Sequence, residues 1–176
     1  IDEDALDHSV LNVNGKARIK FIEDDEEEII DYPITIGSNS YNITCLNIGN
    51  PHCVVFQKNV DGLDLNKIGP SFEKADIFPE RINTEFVRVV NSHTLKMRAY
   101  ERGNGETFAC GTGIVASALA SYINGVTPSR TDQESRVRFA IQAKRDQLAV
   151  DFIPSETLAK DVFLTGPAVF VCKVEI

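Results

Sequence analysis

The sequence predicts an α+β fold, a β-barrel-like sheet wrapped around one central apolar helix, on three observations. Short runs of β-branched and aromatic residues separated by turn residues fill most of the chain. Only one segment, at 111–123, reads as a convincing helix, and it is apolar around most of its circumference. No internal repeat and no low-complexity linker divides the 176 residues, a length that suits one domain at roughly 100 to 200 residues each.

In chain order, Ala17, Ile19 and Phe21 alternate with polar neighbours, and so do Tyr41, Ile43 and Cys45. Similar runs at 53–56, 86–90, 95–100, 137–141, 148–153 and 169–174 bring the expectation to about eight to eleven strands. The acidic run at 23–28 reads as a solvated hairpin tip. Segment 64–76 is expected to hold one or two short surface helices interrupted at Gly69-Pro70. The helix at 111–123 carries Ile114, Val115, Ala116, Ala118, Leu119, Ala120 and Ile123. A helix with so little polar surface must be covered on nearly all sides, and a curled sheet provides that cover.

Composition excludes several functions. Hydrophobic residues make up 43% and charged residues 25%, which removes disordered and collagen-like classes. The net charge of −8, with no clustering of cations, argues against a nucleic-acid partner. No apolar stretch is long enough to span a bilayer as a helix, and the start lacks the pattern of a signal peptide, so no membrane partner is expected. Cys45, Cys53, Cys110 and Cys172 form no C-x-x-C pair, and His8, His52 and His93 show no ligand spacing, so no metal site is expected. Free thiols fit a reducing, cytoplasmic location. Asn42-Ile43-Thr44 matches a glycosylation sequon, without meaning in that compartment.

The densest cluster of special residues runs from Tyr100-Glu101-Arg102-Gly103-Asn104-Gly105-Glu106-Thr107 into Ala109-Cys110-Gly111-Thr112-Gly113. A strand ends, a glycine-rich turn follows, and a thiol stands where the apolar helix begins. Helix starts expose free N–H groups and the positive end of the dipole, which bind anions and depress the pKa of a nearby thiol. Cys110 is therefore expected to be reactive. The same residues would also arise if Thr112 merely capped the helix and Cys110 filled a small hole. Glu101 and Arg102 could hold an ammonium and a carboxylate, or form a plain strand-end ion pair. Two further polar turns, Asn47-Ile48-Gly49-Asn50-Pro51-His52-Cys53 and Pro79-Glu80-Arg81-Ile82-Asn83-Thr84-Glu85, are unremarkable when taken singly.

Together with the closing Leu164-Thr165-Gly166-Pro167-Ala168, these ordered motifs resemble the C-terminal half of diaminopimelate epimerase, from about Tyr41 onward. The resemblance implies a two-domain isomerase that needs no cofactor, with the substrate in the cleft between two similar halves. It makes Cys110 one of two catalytic thiols flanking the substrate α-carbon. The N–H groups of Gly111 and Thr112 would cradle the α-carboxylate, and Glu101 and His52 would lie near the reacting amino and carboxyl groups. Asn50, Asn83 and Arg102 would hold the distal amino-acid end. A homodimer is the assembly such a family leads one to expect.

The pattern also breaks. No second glycine-rich cysteine turn occurs, and Cys45, Cys53 and Cys172 have strand-like contexts that read as core. The chain, which starts at Ile1 rather than methionine, is thus expected to be one domain, residues 1–176, of a longer enzyme whose N-terminal half carries the second thiol. Alone it should not epimerise anything. Two alternatives remain open here: a related racemase for another amino acid, and a non-catalytic anion-binding module.

Overall fold

Eleven strands and two helices follow one another in the computed structural model, which describes residues 18–20, 26–128, 135–155 and 158–167. They are β1 (Arg18–Lys20), β2 (Glu26–Glu28), β3 (Tyr32–Ile36), β4 (Asn39–Asn47), β5 (Pro51–Phe56), α1 (Leu65–Glu73), β6 (Asn83–Asn91), β7 (Thr94–Glu101), β8 (Gly105–Thr107), α2 (Gly111–Ile123), β9 (Val137–Gln142), β10 (Gln147–Ser155) and β11 (Leu158–Thr165). The main sheet has nine strands in the order β11-β10-β9-β7-β6-β5-β4-β3, with β8 paired to β7. Only β5/β6 and β7/β9 run parallel. Parallel neighbours need a crossover, and the two helices lie in those two connections.

The faces follow from alternation along the strands. On β6, Phe86 meets Phe72 of α1 edge-to-face at 5.3 Å, while its neighbour Glu85 lies against Gly113 of α2. The two helices therefore cover opposite faces at β6. Tyr41 of β4 and Tyr100 of β7 join the α1 side, where Tyr41 packs 4.9 Å from Phe72. On the other side α2 touches β4, β5, β6, β7, β9, β10 and β11. Residues 113–121 of α2 are all buried, including Ser117 and Ser121. Each of these serines donates a 2.7 Å bond to the carbonyl four residues back, which satisfies a hydroxyl that no water reaches. The helix ends at Asn124, whose amide donates to Thr44 Oγ1 on β4 at 2.9 Å.

The wrapped helix is as expected, although the sheet stays open at β3 and β11 instead of closing into a barrel. Three local expectations are corrected. Segment 64–76 holds a single helix that runs through Gly69-Pro70. Burial of Leu65 and Phe72 holds it together, and the Tyr100 ring packs directly on the backbone at Gly69. Of the acidic run expected as a hairpin tip, Glu26–Glu28 is instead a strand paired antiparallel with β1, and 23–25 lie outside the described residues. Strands β3, β8 and β11 were not foreseen. The expected strand at 169–174, with Cys172, lies outside the described residues.

A β-carbon at Gly69 would lie 2.2 Å from Cδ2 of Tyr100. Gly69→Ala, which in an exposed helix gains about 1 kcal/mol of stability, is expected here to cost about 1–3 kcal/mol. Urea unfolding with an unchanged slope would measure it.

Candidate active site

Three turns converge on the start of α2. The first joins β4 to β5, with Asn47 opposite Pro51 and Gly49 at φ 80°, a left-handed position that glycine takes without strain. It places Asn50 and His52 at the head of β5. His52 is fully buried and bonded at both nitrogens: Nδ1 lies 2.8 Å from Oε1 of Glu85 and Nε2 lies 3.1 Å from Oδ1 of Asn50. Glu85 is also fully buried, and its second oxygen, Oε2, has no hydrogen-bond partner among the described residues.

The second turn leads into β6 through Arg81, which is left-handed at φ 59°. Asn83 at the strand's start braces the other two turns: its amide donates to the Pro51 carbonyl at 3.1 Å and its Oδ1 accepts from the Arg102 N–H at 2.9 Å. The third turn, between β7 and β8, needs φ 81° at Gly103 and 85° at Gly105. It is held by Glu73 of α1, whose carboxylate accepts from the Gly103 N–H at 3.0 Å and pairs with Arg81 at 3.4 Å. Arg102 donates to the Glu80 carbonyl at 2.9 Å from one guanidinium nitrogen and is otherwise exposed. Glu101 accepts a hydrogen bond from Thr107.

Cys110 is the N-cap of α2. Its carbonyl accepts the first helical bond, from Ile114 at 2.8 Å, while its side chain makes no capping bond. The first-turn N–H groups of Gly111 and Thr112 therefore have no helical partner. Sγ lies 3.6 Å from Oγ1 of Thr112. Contrary to the expectation of a depressed thiol, burial pushes Cys110 up from its ordinary value. The nearby Thr112 hydroxyl and Gly113 N–H pull down, and the Glu85 and Glu101 charges push up. Desolvation at 8% exposure outweighs the helix end in this state. Cys53 is raised more strongly, chiefly by complete burial and then by its bond with Cys45. Cys45 and Cys53 face each other across the β4/β5 ladder as core residues.

A ring nitrogen of His52, a carboxylate oxygen of Glu85 and Sγ of Cys110 all lie within 4.8 Å of one another. Among the described residues this is the set that could hold a metal ion, at the expense of the His52–Glu85 bond. Sequence spacing did not disclose it, because the three donors come from three separate elements.

A family model described as diaminopimelate epimerase matches residues 44–171, most of the chain and all three turns. The chain belongs to the diaminopimelate epimerase family. The diaminopimelate epimerase of Agathobacter rectalis is 40% identical over 152 residues, covering 86% of this chain and 50% of that protein. That of Thermosynechococcus vestitus is 40% identical over 147 residues, covering 83% and 49%. That of Acetivibrio thermocellus is 39% identical over 155 residues, covering 88% and 51%. The chain thus spans about half the length of the curated relatives it matches. No helix among the described residues is long and apolar enough to cross a membrane.

The epimerase-family motifs come together in space as one patch. Asn50, His52 and Cys110 gather around Glu85, while Asn83 and Arg102 form an adjoining brace. Gly111 and Thr112 begin α2 behind Cys110. Sequence reasoning assigned no role to Glu85, Glu73 or Gly113. The signal for Glu85 was available: an acid inside Asn83-Thr84-Glu85-Phe86-Val87 stands where a buried strand should be apolar. Gly113 is glycine because a β-carbon there would come 2.4 Å from Oε1 of Glu85.

Iodoacetamide is expected to label Cys110 ahead of Cys45 and Cys53, which should react only on unfolding. Because its pKa is raised, labelling should still be accelerating above the ordinary thiol pKa, about 8.5, as pH rises. Thr112→Ala removes a bond that favours the thiolate and should slow labelling at pH 8. Peptide mass spectrometry across a pH series reads both.

Proposed function

We propose that this chain is the C-terminal half of a two-domain enzyme that interconverts LL- and meso-2,6-diaminopimelate without a cofactor, serving lysine and peptidoglycan precursor synthesis. The observation that carries the reading is Cys110 at an uncapped helix start beside the buried His52–Glu85 pair, in a chain of this family. The chain supplies one thiol and part of the substrate site, and the other half supplies the opposing thiol.

The chemistry requires breaking an unactivated Cα–H bond. Free N–H groups at Gly111 and Thr112 offer preorganised donors for the charge that builds on the α-carboxylate as the proton leaves. A thiolate on one face takes the proton, and a thiol on the other returns one to the carbanion, so the bonding pair passes back into a Cα–H bond of opposite configuration. Burial that raises Cys110 favours it as the proton-bearing partner in the resting enzyme, the acid for one direction of turnover. After giving up its proton Cys110 is the base for the reverse direction. His52 and Glu101 lie toward the reacting groups. The exposed Arg102 guanidinium supplies charge for the distal carboxylate, while Asn50 and Asn83 frame that end.

In the complete two-domain protein, Cys110→Ala should lower inversion of LL-diaminopimelate by about 10²–10⁴-fold or more. Product stereochemistry and deuterium uptake from D₂O at the α-carbon would report it, and undiminished inversion would remove Cys110 from the mechanism. Arg102→Ala should raise KM for diaminopimelate with a smaller effect on kcat, since it is assigned only to binding.

A further inference from the structure

Three donors of different chemistry meet at the head of α2: a ring nitrogen of His52 from β5, a carboxylate oxygen of Glu85 from β6 and Sγ of Cys110. All three residues are buried, and the three atoms lie within 4.8 Å of one another. Glu85 is the member that packing does not explain. It is fully inaccessible, one oxygen lies 2.8 Å from Nδ1 of His52, and the other, Oε2, has no hydrogen-bond partner among the described residues. A buried carboxyl with an unmatched oxygen costs stability, and an apolar side chain of the same shape would avoid that cost. Gly113 makes room for it, since a β-carbon there would strike the carboxylate.

The donor set suits one class of ion. Thiolate, imidazole and carboxylate are the ligands of zinc and its chemical relatives, whereas magnesium and calcium take oxygen donors. A dipositive ion with one thiolate, one carboxylate and a neutral imidazole has no net charge, the condition under which burial is least costly. Zinc–ligand bonds of about 2.0–2.3 Å set tetrahedral donors about 3.3–3.8 Å apart, so the His52–Glu85 pair need open by only roughly half an ångström while Sγ draws in. Sγ makes no capping bond to hold it back. Ligation through Nδ1 puts the ring hydrogen on Nε2, where Oδ1 of Asn50 stands 3.1 Å away and can accept it, the outer partner that a metal-bound histidine ordinarily has. Ala109 and Gly111, on either side of Cys110, are exposed and give the ion a way in.

We propose that His52, Glu85 and Cys110 form a three-ligand site for a zinc-class divalent cation, and that an ion held there keeps substrate from Cys110. Binding forms a metal–sulfur bond and expels the thiol proton to solvent, with no change of oxidation state. A sulfur so engaged cannot exchange a proton with a substrate carbon, so the ion is an inhibitor and not a cofactor. The binding rests on geometry alone, and the exclusion of substrate rests on the isomerase reading.

The experiment titrates cobalt(II) into the complete two-domain protein, reduced and stripped of metal. Thiolate-to-cobalt charge transfer and the visible bands of a four-coordinate ion report binding, and zinc should displace it. The bands are expected to vanish in Cys110→Ser, and affinity to fall at least about tenfold in Glu85→Gln and in His52→Gln. Full affinity in both E85Q and H52Q would overturn the proposal, because thiols alone would then hold the ion. Protection of Cys45 and Cys53 from iodoacetamide shows that a variant is folded. Where a variant fails that check, zinc protection of Cys110 in the wild-type protein decides: slowed labelling supports the site and unchanged labelling overturns it. Free zinc buffered at about ten times its dissociation constant should raise the apparent KM for diaminopimelate about tenfold and leave kcat unchanged. Turnover indifferent to bound zinc would overturn the exclusion of substrate. Wild-type protein that binds cobalt but turns over no diaminopimelate would instead remove the function proposed above and leave the metal site standing.

Discussion

Helix α2 has almost no surface that tolerates water, and most of the architecture answers to that constraint. Residues 113–121 are all buried, so α2 must be enclosed from several directions. A flat sheet can cover only one side of a helix. Here β4 to β7 and β9 to β11 each contribute a contact, which requires a long twisted sheet whose outer strands come round the helix. The two hydroxyls on the helix turn their hydrogens back onto its own carbonyls, so the enclosure leaves neither of them unmatched.

Enclosure also creates the site's electrical character. The N-terminal end of α2 brings uncompensated N–H groups into a region where charge is expensive. Glu85 and His52 sit against that end, and Cys110 begins it. The result is opposed influences on one sulfur. The nearby Thr112 hydroxyl and Gly113 N–H favour the thiolate, whereas desolvation and two carboxylates favour the thiol, and the latter prevail. Desolvation is the largest of these influences, so a change in how much water reaches Cys110 bears directly on its proton.

Much of this was legible in the residues. Runs of β-branched and aromatic residues marked β4, β5, β6, β7, β9 and β10, and an apolar run after a glycine-rich turn marked α2. The unread parts have physical reasons. Strand β3 begins Tyr32-Pro33 at a sheet edge, and β11 is interrupted by a bulge near Asp161, which sits at φ 49°, so neither shows clean alternation. Pro70 read as a helix breaker, whereas packing of Phe72 and Tyr100 overrode the propensity. Within the site, the turn residues could be named because turns have a local signature. Glu73 could not, because its partner lies 30 residues away, and Glu85, although an acid in an apolar run, gave no hint of its His52 partner 33 residues away. The thiol's direction of shift failed for a similar reason. A helix start is visible in sequence, but the depth at which it is buried is not.

The strand order also has a temporal meaning. β6 and β7 form a central antiparallel hairpin, from which the sheet extends to β5, β4 and β3 on one flank and to β9, β10 and β11 on the other. The hairpin is local and can form early, whereas each flank must close a loop of chain across a parallel junction before it gains any contact. Asn124 reaches Thr44 across 80 residues of sequence, so α2 is locked only when both ends of this process have met. The thiol at its head stands on the same schedule. Until the flanks have closed, Cys110 lacks both the burial that holds its proton and the neighbours that give it purpose. Cys110 therefore acquires its burial only where both flanks of the sheet are in place around α2.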